Sequence, residues 1–402
     1  MFSLFGPKSE LGIIFHIGSS SVGAGLVRLH HGKIAHVIYS LREDIPYRDT
    51  VNPDRFLNDM IDTLKRVNSR LSKEGLSHLK FTEFGSLTPE RIFYIFASPW
   101  AVTQTKIATV KKPEGFVLTK ALVNSVIAEQ ERIFETETLG RADLGDKLQA
   151  IEKRVVQIKL NGYEVHEPYG KFATQADISL FISLIPKAVV DRVFDVSMST
   201  YHPKNTEIFS FPLASFSTIR EVFHDERDFI FVDVGGELSD ISVIRDGLII
   251  ETASFPLGRH FLIRKVAKVF STTSEQAISL VKLYYEGHAE AAIEERLKPI
   301  LAEASTEWSA TLHKTLMDIS VAVALPTHLF AIINNNFVNF FMKVLKDERV
   351  TEFGVAEAPL SVVLVNHDKL RTVVEFGKNA DKDPFIAILA AFAGRVYESK
   401  TK

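Results

Sequence analysis

The chain has 402 residues, 46% of them hydrophobic and 24% charged, with a formal net charge of −3. That length suits two to four domains with sizeable cores, and the near-neutral balance speaks against nucleic acid as a partner. The sequence has no cysteine, which excludes disulfides, thiolate metal sites and cysteine nucleophiles.

No apolar run reaches the roughly 18–20 residues of a membrane span, and the opening Met1–Ser9 lacks the basic-then-apolar order of a secretory signal. A soluble cytoplasmic protein is expected. Three strands come first, at Gly12–Ile17, Val22–Leu29 and Lys33–Ser40, separated by the turns Gly18–Ser21 and His30–Gly32. A helix over Asn52–Lys73 carries Phe56, Met60, Leu64, Val67 and Leu71 at helical spacing, and Arg91–Phe96 is a buried strand. A separate α+β unit is expected next. It runs through helix Thr119–Glu135, a polar loop at Asp143–Leu148, strand Arg154–Leu160, the hairpin dipeptide Asn161-Gly162, strand Asp177–Ile185 and helix Lys187–Ser197. Lys106, Lys111, Lys112 and Lys120 read as its solvated face, and Trp100 and Trp308 as packing residues.

The apolar stretch Glu207–Phe211 leads into a helix at Ala214–Phe223. Strands follow at Phe229–Val234, Ser239–Ile244 and Leu248–Ala253, with turns at Gly235–Leu238 and Asp246-Gly247. Helices are expected at Arg259–Phe270, Glu275–Tyr285 and Ala289–His313, and a strand at Asp318–Val323. Asn334–Asn336 reads as a turn and helix cap, before helix Asn336–Lys346, strand Leu360–Leu364 and a closing helix Pro384–Tyr397.

The unit of buried strand, small-residue turn, strand, glycine turn and strand occurs twice, at Gly12–Ser40 and at Phe229–Ala253. Facing each other, the two meanders would bring Gly18, Ser19, Ser20 and Ser21 opposite Gly235, Gly236 and Ser239. Turns of glycine and serine offer backbone N–H groups and hydroxyls that can cradle phosphate. Asp233, at the strand end before the second turn, would need a cation or a water to orient beside phosphates. The thirteen histidines are scattered without zinc spacing, and His30-His31 reads as a solvated turn.

Ile17–Val22 resembles the first phosphate loop of the actin-like ATPases, closest to PilM proteins, as does the opening MFSLFGPKSELG. Val232–Ile241 is similar to their second phosphate loop. Pro212–Ser215 and Phe255–His260 resemble FtsA, and Leu160–Tyr163 with Pro168–Lys171 resembles its SHS2 module. The resemblance implies an α/β, actin-like (ribonuclease H-like duplicated) two-domain fold with an inserted α+β SHS2-type module. On this reading domain I comprises 1–101, 204–224 and the closing helix 384–402. The insert is 102–203, domain II 225–260 and 318–383, and a small helical subdomain 261–317.

The same resemblance implies ATP and Mg²⁺ as cofactors. Gly18, Ser19, Ser20, Ser21, Gly235, Gly236, Ser239, Gly258 and Lys282 would bind the nucleotide, and Asp233 would be the catalytic and metal-facing carboxylate. Three positions depart from the family. His16 stands where it has Asp, and histidine is a poor ligand for Mg²⁺. Ala324–His328 lacks the glycines expected of an adenosine loop, and Ile278 replaces an acidic residue. The implied function is a scaffold that assembles with membrane machinery in cell division or type IV pilus assembly, with weak or absent ATP hydrolysis. Partners would be proteins of that machinery, with self-assembly and recruitment to the inner face of the membrane also implied. The sequence shows no basic amphipathic helix after the closing helix, which favours recruitment through a partner. A scaffold that no longer binds nucleotide and a sugar-kinase-like phosphotransferase are the alternatives.

Overall fold

The computed structural model describes residues 9–48, 52–79, 88–139, 147–321, 323–347 and 359–401. The first eight residues of the opening motif, and 143–146 of the expected polar loop, lie outside them.

The first meander is β1 (Ser9–Ile17), β2 (Ser21–His30) and β3 (Ala35–Asp44), antiparallel throughout. Its central strand is buried on both faces, so SVGAGLVRLH shows no polar–apolar alternation. β4 (Arg91–Phe96) pairs parallel with β1, β9 (Asn205–Ser210) parallel with β4, and β15 (Val374–Phe376) closes the other edge on β3. The second meander, β10 (Phe229–Val234), β11 (Ser239–Arg245) and β12 (Leu248–Phe255), is extended in the same way by β13 (His328–Ile333) and β14 (Ser361–Leu364). The orders β3-β2-β1-β4-β9 and β12-β11-β10-β13-β14 match in sequence and in direction, as the repeat of the meander predicts.

Helices separate and flank the sheets. α1 (Pro53–Arg70), capped by the Asn52 side chain, and α3 (Lys187–Tyr201) cover the outer face of the first sheet, burying Met60, Leu64, Val67, Val189 and Val193. α4 (Phe211–Val222) and the closing helix Pro384–Thr401 lie between the sheets, in a core that takes Ile14, Val27 and Phe93 from one and Phe229, Phe231 and Phe330 from the other. α5 (Arg259–Phe270), α6 (Ser274–Glu286), α7 (Ala291–Ser320) and α8 (Val338–Leu345) cover the far face of the second sheet. The buried side chains of α5–α7, among them Leu262, Val281 and Trp308, are continuous with Val232 and Val243 of that sheet.

The inserted unit is a four-stranded sheet in the order β5 (Val102–Val117), β8 (Phe172–Pro186), β6 (Leu148–Leu160) and β7 (Tyr163–Glu164), backed by α2 (Lys120–Leu139). Four elements differ from the sequence reading. β5 is a full strand; its lysine-rich course hides the pattern, because its far half is solvated and interrupted by a register shift between Lys111 and Phe116. α3 packs on the first sheet rather than on the insert's own core. Asp318–Val323 is not a strand: α7 runs to Ser320, and Leu312, Leu316 and Ile319 continue its buried stripe at helical spacing. The three-residue β15 is too short to carry a periodic signal.

Glu152 joins the insert to the first sheet. Its buried carboxylate accepts the Ser210 N–H at 3.0 Å, the Ser210 hydroxyl at 2.6 Å and the Ser183 hydroxyl. Burial pushes its pKa up, against those hydrogen bonds. Glu152→Ala is expected to cost about 2–3 kcal/mol, because it strands buried donors. Urea unfolding at neutral pH reads this, and an unchanged midpoint would show that the joint carries no stability.

Candidate functional site

Each meander ends in the same turn. The Gly18 N–H bonds to the Ser21 carbonyl at 3.1 Å, and the Gly235 N–H bonds to the Leu238 carbonyl at 3.0 Å. The two turns meet face to face. Ser19 Oγ accepts the N–H of Gly236 at 2.9 Å and that of Glu237 at 3.2 Å. A Cβ on Gly236 would lie 2.3 Å from the Ser20 Cβ, so only glycine fits there. Gly258 approaches as closely: its Cβ would lie 2.2 Å from the Gly236 carbonyl oxygen. The first N–H groups of α5 are spent on the turn as well, Arg259 N on Gly235 O and His260 N on Gly236 O, both at 2.9 Å. A helix start otherwise suited to anions is thereby satisfied by protein.

Cross-strand register explains what stands behind the turns. His16, Gly23 and Arg42 are neighbours on β1, β2 and β3. Because Gly23 has no side chain, the Arg42 guanidinium can lie over it; a Cβ there would come within 2.7 Å of Nη2. Arg42 bonds Asp383 through Nε at 2.5 Å, and Ser21 Oγ and His16 Nδ1 through Nη1 at 2.9 and 3.1 Å. The matching row on the second sheet is Asp233, Asp240 and Ser254, and the Ser254 hydroxyl donates to Asp240. Burial, then the neighbouring Asp240, raise the Asp233 pKa well above the usual carboxylate range, with Arg42 opposing. Burial, and secondarily the Arg42 charge, lower that of His16.

Arg259 reaches across from α5, with Nη2 at 2.6 Å from Asp44 and 3.3 Å from the Ser20 carbonyl. Glu237 is fixed by His260 Nδ1 at 2.9 Å and Arg264 Nη2 at 2.7 Å. Burial works against its ionisation, yet these partners hold its pKa down to about 2.

Both tryptophans donate to loops beside the cleft, a role that composition does not reveal. The Trp100 indole donates to the Gly18 carbonyl at 2.8 Å, and that of Trp308 to the Leu257 carbonyl at 3.0 Å. Ser239 Oγ donates to the same Leu257 carbonyl and faces away from the cleft.

Two sequence expectations are corrected. Ala324–His328 precedes β13, which runs parallel to β10, so it sits at the opposite end of the sheet from the Gly235 turn, beside Asp225–Asp228. Crowding there has no bearing on the cleft. The loop that leaves β13 on the cleft side is Asn334–Asn336, where the Asn334 side chain caps Asn336 N at 3.1 Å. Lys282 is exposed on α6, pairs with Glu286 at 3.8 Å and does not line the cleft.

The cavity between the turns measures 30 Å³ and is lined by both turns with His16, Arg42, Asp233 and Arg259. Nucleotide sites are about 300–1,000 Å³. With the N–H groups of Gly236 and Glu237 taken by Ser19, the Arg42 guanidinium held between His16 and Asp383, and Asp233 pushed toward its neutral form by burial, this arrangement does not fit MgATP. A wider space of 440 Å³, between Asn334–Asn336 and Asp381–Phe385, opens beside it.

No protein-family profile matches the sequence, and no curated protein matches it. Among solved structures, the PilM-PilN type IV pilus biogenesis complex aligns over 96% of this chain and 98% of that chain, with TM-score 0.60 and 12% identity. The ethanolamine utilization protein EutJ from Carboxydothermus hydrogenoformans aligns at TM-score 0.45 and 11% identity, over 97% and 90% of the two chains. A Bacteroides thetaiotaomicron protein with an actin-like ATPase fold aligns at 0.41 and 9%, over 96% of each. Only the first bears on the fold, and at that identity it speaks for the fold alone. The chain has the actin-like fold, in the PilM-type arrangement.

Asp233 makes the cleft pH-sensitive in a definite direction. The folded state keeps a proton that the unfolded chain releases near 3.8, so this group's contribution falls as pH rises from there through its folded value. His16 acts oppositely, its contribution being lost as pH falls below 6.5. Asp233→Asn removes only the first effect. Its melting temperature should exceed that of the parent at neutral pH, and the two curves should converge below about pH 4. A difference independent of pH would overturn this.

Proposed function

We propose that this chain, with its actin-like fold, is an assembly scaffold whose interdomain cleft is held shut by its own side chains, and that it works by binding partner proteins rather than by turning over nucleotide. The carrying observation is the pair of bonds from Gly236 N and Glu237 N to Ser19 Oγ. They use the donors that a phosphate would need, and they tie one half of the molecule to the other. Arg42, tied to His16, Ser21 and Asp383, supplies fixed positive charge at the cleft without metal.

The fold neighbour comes from a two-protein pilus biogenesis complex, which supports type IV pilus machinery over cell division as the setting. Among the described residues no helix is long and apolar enough to cross a membrane. The inserted sheet, with Ile107 and Phe172 65–67% exposed, offers a surface for one.

The test is thermal unfolding with and without ATP and Mg²⁺. A site filled at a hundred times its Kd would add about 2.7 kcal/mol, an easily read upward shift. No shift is expected, and hydrolysis should stay at background. Ser19→Ala should lower the melting temperature, since the buried Gly236 N–H and the part-buried Glu237 N–H lose their acceptor at a cost of about 1–3 kcal/mol. Brisk Mg²⁺-dependent hydrolysis in the unmodified protein, abolished by Asp233→Ala, would overturn the closed-cleft reading.

A further inference from the structure

Polar groups with nothing to bond gather around the small cavity between the turns. Among the described residues, His16 Nε2, Arg42 Nη2, Asp233 Oδ1 and Arg259 Nε are buried and unpartnered, and all four residues line that one space. The two arginines are otherwise tied down. Arg42 is spent on Asp383, Ser21 and His16, and Arg259 on Asp44 and the Ser20 carbonyl.

Three of these four atoms are donors. A guanidinium only donates, so the bond from Arg42 Nη1 makes His16 Nδ1 an acceptor and leaves the neutral ring's proton on Nε2. His16 Nε2 is then a donor, as are Arg42 Nη2 and Arg259 Nε. Asp233 in its protonated form, which burial favours, can donate too. Buried donors without acceptors are rare in native proteins and call for a bound partner. Water could serve each singly, but a set of donors that includes two cations selects an anion.

We infer that the space enclosed by His16, Arg42, Asp233 and Arg259 is a site for a single small inorganic anion, halide or free phosphate in class. It would act as the internal bridge between the two halves. The inference rests on the closed-cleft reading, since the 30 Å³ cavity admits an ion but no nucleoside. Asp44 and Asp383 neutralise the arginines at their outer ends, and Asp240 is hydrogen-bonded to Ser254.

The test uses the whole chain. Thermal unfolding is followed in sodium chloride, sodium bromide, sodium phosphate and sodium gluconate at one ionic strength, and crystals soaked in bromide are measured for anomalous signal. A saturable rise in melting temperature with a small anion but not with gluconate is expected. So is a bromide peak among His16, Arg42 and Arg259. Arg42→Lys keeps the charge but loses Nη2, and should raise the half-saturating concentration about tenfold. Equal melting temperatures in all four salts, together with no peak, overturn the anion site. That result leaves the closed cleft standing, provided ATP still fails to bind. ATP that binds and removes the bromide peak overturns the closed cleft and the bridging role, since the anion would then occupy part of a nucleotide pocket.

Discussion

Ser19 stands at the tip of one turn, and its hydroxyl oxygen takes two N–H groups from the turn opposite. That contact requires the two meanders to face each other at close range, and close range requires glycine at 236 and 258, where any Cβ would collide with the neighbouring turn. The requirement spreads outward. The layer of α4 and the closing helix lies between the sheets, Trp100 holds the Gly18 carbonyl of the first turn, and Trp308 holds the Leu257 carbonyl in the loop beside the second. A cleft built this way is a joint between two halves before it is a pocket.

The charges follow from the same closure. In an open, wet cleft Asp233 would ionise and His16 would titrate near its ordinary value. Sealed between two sheets, each is pushed toward its neutral form by desolvation. The two arginines reach carboxylates at their outer ends, Asp383 and Asp44. Likeness of fold at 12% identity does not by itself carry an activity with it.

Much of the architecture was legible in the residues. The buried strands were plain because β-branched and aromatic runs ended in glycine and serine turns, and the repeat of the meander implied two matching sheets. The strand β5 was hidden because an edge strand with one solvated face reads as a charged loop, and α7 was cut short because its last turns are apolar enough to mimic a strand. The place of the cleft loop after β13 was misjudged because parallel pairing, which decides the end of the sheet where a loop emerges, leaves no mark on the loop itself.

At the site, the sequence by itself picked out two small-residue turns, with His16 and Asp233 near the ends of the strands before them, and the fold brings those turns face to face. It could not determine what stands beside His16. Arg42 lies 26 residues from His16 and meets it only through the register of three strands across Gly23, and Ser19 meets Gly236 across a separation of 217 residues. Local pattern records periodicity and turn chemistry, which act over a few residues. Whether a serine faces a phosphate or a backbone N–H depends on the distance between two domains, and that distance is a property of the packed core.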